Sequence, residues 1–180
     1  EYNMGIRTVR TEGDECLRKV CKPVKSVSLR TRILIEDMFD TMYESGGVGL
    51  AAPQIGVLKR IVVMDTDDNQ HVLINPQILE VSGEQTGYEG CLSIPGKSGI
   101  VTRPDYVKVK ALNERGEEYV LEGEGLLARC ICHECDHLDG ILYSDKAEGG
   151  LINNEDLPED EEEELYEDAY EEFTEEEIHK

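Results

Sequence analysis

An α+β fold is predicted for the 180-residue chain by three features of its patterning. A helical period near the start gives way to a middle of short Val- and Ile-rich segments. A second helical period then follows. Strands and helices do not alternate as βαβ units would, and no internal repeat is present.

The first helix is Leu29–Glu44. Ile35, Met38, Phe39, Met42 and Tyr43 follow the spacing of one apolar helix face, and Ser45-Gly46-Gly47 stops it. Residues 47–54, Gly-Val-Gly-Leu-Ala-Ala-Pro-Gln, are too small and too broken for a packed helix. The period then changes to that of strands, at residues 60–65, 71–75, 78–81, 99–102, 106–111 and 118–121. Asp67-Asp68-Asn69 and Asn113-Glu114-Arg115-Gly116 are the clearest hairpin turns among them. Gly125–Leu138 reads as the second helix. Residues 155–180 hold 15 Asp or Glu against one Lys, a net of −14. Within them Leu165, Ala169 and Phe173 recur every four residues beside Tyr166 and Tyr170. That narrow stripe predicts a charged C-terminal helix, and a division into residues 1–150 and an acidic tail at 151–180.

The whole chain carries −22, so −8 is left for residues 1–154, an ordinary acidic value. A field of this sign opposes direct binding to nucleic acid or anionic membrane. No apolar run approaches the roughly 20 residues of a membrane span, and no signal-peptide pattern is present, so a cytoplasmic location is expected. The six cysteines are Cys16, Cys21, Cys91, Cys130, Cys132 and Cys135. A disulfide framework would need a secreted context. Cys132 and Cys135 have redox C-x-x-C spacing, but such pairs normally open a helix after a strand, and these lie mid-helix. Most of these thiols read as small buried apolar groups.

The chemistry lies in residues 133–137, His-Glu-Cys-Asp-His. Histidines four apart stand one helical turn above each other, so both imidazoles can reach one metal ion. Glu134 lies close enough to handle a proton on a metal-bound water, which is the HExxH arrangement of metal-dependent hydrolases. A catalytic site usually takes three protein ligands and a water. Cys132 and Cys135 point about 100° and 200° around the helix from His133, and Cys130 lies roughly 10 Å along the axis from His137. His179 and the tail glutamates should be solvated. Upstream, Cys91 sits in Glu89-Gly90-Cys91-Leu92-Ser93, where a strand could carry it against the helix. Alone it reads as a buried structural cysteine; beside HExxH, with no better donor, it reads as the third ligand.

Three segments, residues 47–54, Glu89-Gly90-Cys91-Leu92-Ser93 and His133-Glu134-Cys135-Asp136-His137, resemble in order the three signature motifs of bacterial peptide deformylases of the compact type. The likeness spans residues 4–150. It implies mostly antiparallel strands packed around a central metal-binding HExxH helix, in a deformylase-like catalytic domain at 1–150. It further implies removal of the formyl group from the N-terminal formyl-methionine of new polypeptides, through a metal-bound water with Glu134 as general base and then acid. Cys91, His133 and His137 would hold one divalent metal, ferrous iron in the cell and zinc or nickel in isolated protein. The side-chain amide of Gln54 and the backbone N–H of Leu92 would stabilise the oxyanion. Val48, Gly49, Leu126, Arg129 and Cys130 would bind substrate, with Gly49 letting the substrate backbone approach closely. Arg103 would pair with Glu89 or Asp136. The expected partners are formylated nascent peptides at the ribosome. One departure is Cys132, where the family often has Gln. Two other readings stand beside this one. A small HExxH metallopeptidase would need a downstream ligand, and a non-catalytic interaction protein would act through the acidic tail.

Overall fold

The structure is a computed structural model and describes residues 5–158. The predicted C-terminal helix therefore lies outside the described residues. The two predicted helices form with the expected bounds, α1 at Leu29–Glu44 and α2 at Gly125–Leu138. Eight strands accompany them: β1 Gly49–Ala51, β2 Ile61–Thr66, β3 Asn69–Ser82, β4 Gln85–Cys91, β5 Ile94–Arg103, β6 Tyr106–Leu112, β7 Glu118–Glu124 and β8 Glu148–Asn153. All strand pairs are antiparallel. They make a five-stranded sheet in the order β1-β2-β3-β6-β7 and a three-stranded sheet in the order β4-β5-β8. No helix among the described residues is long and apolar enough to cross a membrane.

Ser28 starts α1. Its hydroxyl accepts from the Thr31 N–H at 3.3 Å, and the Thr31 hydroxyl accepts from the Ser28 N–H at 3.4 Å, which satisfies two donors the helix leaves unbonded. Strand β2 shows how the larger sheet is covered on both faces. Ile61 and Val63 point into the cluster built on Leu34, Ile35, Met38 and Met42 of α1. Val62 and Met64 point into the cluster with Ala128, Ile131, Cys135 and Leu138 of α2. Alternate residues serve opposite faces, so a strand buried on both sides reads as an unbroken apolar run.

The strands differ from the sequence reading in several places. Residues 71–75 and 78–81 belong to one strand, β3, with a register shift between Ile74 and Gln77. At the irregularity Asn75 has φ of 52° and clamps Val24, donating to its carbonyl and accepting from its N–H, both at 2.8 Å. Strand β1 forms within residues 47–54, the segment read as too broken for a packed helix, and β4 forms over residues for which no strand was predicted. Strand β8 forms through Gly149 and Gly150, both at positive φ, a pattern that reads as a turn. The folded body continues past residue 150, since β8 ends at Asn153 and Leu157 is buried.

Helix α2 is buried on nearly every side from Ala128 to Leu138. One face meets the larger sheet. The other bonds to β4 and β5 through Arg129, His133 and Asp136. The chemistry is built along that second contact.

Candidate metal centre

Strand β4 delivers two side chains to α2. Residues two apart on a strand share a face, so Glu89 and Cys91 both look toward the helix. A register shift between them and a two-residue turn, Leu92-Ser93, aim the cysteine at the second turn of the motif. The Cys91 Sγ lies 3.4 Å from His137 Nε2, and His137 Nε2 lies 3.2 Å from His133 Nε2. All three donor atoms fall within 4.8 Å of one another. Bonds of about 2.0–2.3 Å to one tetrahedral ion put nitrogen and sulfur donors about 3.3–3.6 Å apart, so the trio fits a single divalent metal. Among the described residues it is the one such group. No downstream ligand of the peptidase kind joins it there.

His133 is oriented from behind. Its Nδ1 bonds to Glu89 Oε1, which places the ring proton on Nδ1 and turns the Nε2 lone pair toward Cys91 and His137. Burial alone pushes this imidazole's pKa down. Hydrogen bonds to Cys91 and Glu89 and the charge of Glu134 outweigh it and lift the value to about 10. A cation on Nε2 competes for the same lone pair, so metal binding releases protons here. His137 goes the other way. Burial, and the charges of His133 and Arg103, hold it well below its ordinary value, neutral and ready to ligate.

Glu89 is the hub. Arg103 donates to both of its oxygens, Nη2 to Oε1 at 2.7 Å and Nε to Oε2 at 3.2 Å, and Arg129 Nη1 donates to Oε2 at 2.6 Å. Arg103 Nη1 reaches Asp136 at 2.7 Å. The expected pairing of Arg103 with Glu89 or Asp136 is thus a pairing with both. Burial works against the Glu89 carboxylate, but His133 and Arg103 hold its pKa well below the usual range. Glu89→Ala leaves Arg103 and Arg129 without their buried counter-charge. It is expected to cost about 3–5 kcal/mol, read from urea unfolding.

Glu134 is 4% exposed. Its Oε1 lies 3.9 Å from His133 Nε2, and its Oε2 is buried without a partner among the described residues. Burial lifts this carboxyl to about 7 against the pull of His133, a value suited to giving and taking protons near neutral pH.

Gln54 is pinned by its own segment. Its Oε1 accepts from Ala51 N–H at 2.9 Å, while Nε2 donates to Ser93 Oγ at 3.1 Å and lies 3.6 Å from Cys91 Sγ. Leu92 follows Cys91 in the turn. Val48, Gly49, Leu126, Arg129 and Cys130 line one cleft of about 530 Å³ with Gln54, Cys91, Leu92, His133 and Glu134. Val48 and Leu126 are 44% and 42% exposed, whereas the Arg129 guanidinium is held by Glu89 and the Val101 carbonyl.

The absence of a side chain at Gly49 has a second use within the protein. The space its Cβ would fill is taken by Glu134 Oε1 at 2.8 Å and Cys130 Sγ at 2.9 Å. The missing side chain lets β1 close on α2. Gly49→Ala must displace the Glu134 carboxylate, so it is expected to destabilise by about 1–3 kcal/mol and to slow turnover at unchanged metal content.

Sequence reasoning missed that Glu89 orients His133; its position two before Cys91 was the available signal. It also missed Tyr143, a buried ring stacked on His133 at 5.9 Å between centroids, for which the local sequence gives no cue. Cys132 and Cys135 are free and buried, and burial raises both thiols. This fits inert packing rather than redox exchange.

The profile of a family described as Polypeptide deformylase matches residues 6–150. A peptide deformylase of Agathobacter rectalis is 61% identical over 148 residues, covering 82% of this chain and 94% of its own length. One from Lachnoclostridium phytofermentans is 55% identical over 163 residues, covering 89% of this chain and all (100%) of its own. Among solved structures, the peptide deformylase of Thermotoga maritima superposes with a TM-score of 0.78 at 42% identity, over 79% of this chain and 98% of that one. A Synechococcus elongatus peptide deformylase in complex with actinonin gives 0.79 at 41% identity, over 83% of this chain and 82% of that one.

Proposed function

Since this chain belongs to the polypeptide deformylase family, we propose that Cys91, His133 and His137 hold its metal and that Glu134 moves the proton. The enzyme is a metal-dependent hydrolase that removes the N-terminal formyl group from nascent polypeptides. The residue assignment is carried by one observation, the convergence of one sulfur and two imidazole nitrogens within 4.8 Å beside a buried carboxylate.

A divalent ion, when bound, supplies a Lewis acid and lowers the pKa of a water from about 15.7 to about 7. Glu134 takes the proton of the attacking water and hands it to the departing amine, since its carboxyl is shielded from solvent and has a free oxygen among the described residues. The Gln54 amide and the Leu92 N–H donate to the oxygen that gains charge as the formyl carbon becomes tetrahedral. Ser93 and Ala51 hold Gln54 so that its amide need not reorganise. Val48, Leu126, Cys130 and the stem of Arg129 receive the methionine side chain, and the weakly polar thiol of Cys130 suits a thioether. Gly49 lets the substrate backbone approach closely and leaves Glu134 the space it occupies.

Ferrous iron is the ion we assign in the cell, with zinc or nickel taken up during isolation. One thiolate and two imidazoles accept any of the three, so availability decides. The cytoplasm, at the ribosome, is the assigned place of action, because that is where formylated chains emerge. Residues 1–150 form the catalytic domain in this reading, with β8 and Leu157 finishing its edge and the acidic segment following.

The test is formate release from formyl-Met-Ala by protein purified anaerobically with metal analysis. A chelator should abolish release and ferrous ion should restore it, while Met-Ala-Ser without the formyl group stays intact. Undiminished turnover after complete metal removal, or cleavage of an internal peptide bond, would sink the assignment.

A further inference from the structure

A second groove of about 530 Å³ runs beside the start of α1, lined by the apolar Leu29, Ile33 and Val57 together with Arg7, Arg30 and Lys59. Leu29 is 73% exposed and Ile33 48%, an unusual amount of apolar surface for adjacent turns of one helix. Arg7 is taken by Asp37 at 2.8 Å. Arg30 and Lys59 form no ion pair among the described residues. Arg30 belongs to a basic tract: residues 16–35 carry six Lys or Arg and no acid, in a chain whose net charge is −22. A backbone bridge pairs Lys22 with Lys59, which brings the tract alongside a residue of the groove.

We propose that this groove seats the acidic segment 159–180 of the same chain. That segment has 13 Asp or Glu against one Lys, with Leu165, Ala169 and Phe173 spaced four apart. Its carboxylates match Arg30, Lys59 and the neighbouring lysines, and its sparse apolar residues match Leu29, Ile33 and Val57. The last described residues lie within reach of the groove. Asn154 lines the catalytic cleft together with Val9, and Arg7, two residues before Val9, lines the groove. At about 3.3–3.6 Å per extended residue, the eight steps from Leu157 to Leu165 span up to about 28 Å. Attraction between oppositely charged surfaces guides the segment there and weakens as salt is raised.

Zero-length carbodiimide cross-linking of the full chain, mapped by mass spectrometry, tests the proposal. At low salt the ammonium groups of Lys22, Lys25 or Lys59 should link to carboxylates in 159–180, and high salt should suppress the links. Equal mixtures of isotope-labelled and unlabelled chains should give links within one chain only. Amide exchange over 165–173 should be at least about tenfold slower in the unaltered chain than in the Arg30→Glu, Lys59→Glu double variant. The proposal is overturned by absence of those links, by links only between labelled and unlabelled chains, or by equal exchange in both proteins.

Discussion

Glu134→Gln is expected to lower the turnover number for formate release by about 10²–10⁴-fold, the usual worth of a positioned proton carrier, while one metal per chain is retained. The substitution keeps the shape and volume of a side chain that is 4% exposed, so packing against Gly49 and Cys130 survives. What it removes is the ability to accept a proton at an oxygen that has no other partner among the described residues. The Michaelis constant should move little, because in the proposed role the group acts on the reacting water rather than on the methionine side chain. Formate release and metal content measured on the same preparation separate this from loss of the ion. A fall of less than tenfold at full metal content would show that the proton takes another route.

Cys91→Ala is expected to be the more damaging change, because it removes one of the three proposed donors and leaves two imidazoles to hold a divalent ion. The affinity loss should exceed the roughly 10–100-fold that follows from losing an outer partner of a ligand, with activity falling in proportion to bound metal. Cys132→Ala and Cys135→Ala are the controls. Both thiols are buried in the α2 cluster against the larger sheet, so neither change should alter metal content. Full occupancy in Cys91→Ala would remove that sulfur from the coordination sphere.

The two helices were legible to the residue because periodicity marks them: the apolar face of Ile35 to Tyr43 with the Ser45-Gly46-Gly47 stop for α1, and the helical pattern from Gly125 for α2. The trio of donors was legible for a different reason. Helical spacing pairs His133 with His137, and a strand-to-turn setting leaves Cys91 free to meet them. The remainder depends on contacts between distant segments. Strand β1 is three residues long and exists because β2 pairs with it. Strand β8 passes through two glycines and is held by β5. The role of Gly49 is invisible until Glu134 is seen filling the space beside it. Asn75 followed by Pro76 looks like the end of a strand, and only the clamp on Val24 carries β3 through it.

Glu89 takes hydrogen bonds from Arg103, Arg129 and His133, so one carboxylate rivets a strand of the smaller sheet to both its neighbour and the central helix. A socket fastened in this way is shaped before anything enters it. Filling it should demand little ordering of the backbone, and exchange of one divalent ion for another is expected to leave the surrounding architecture almost unmoved.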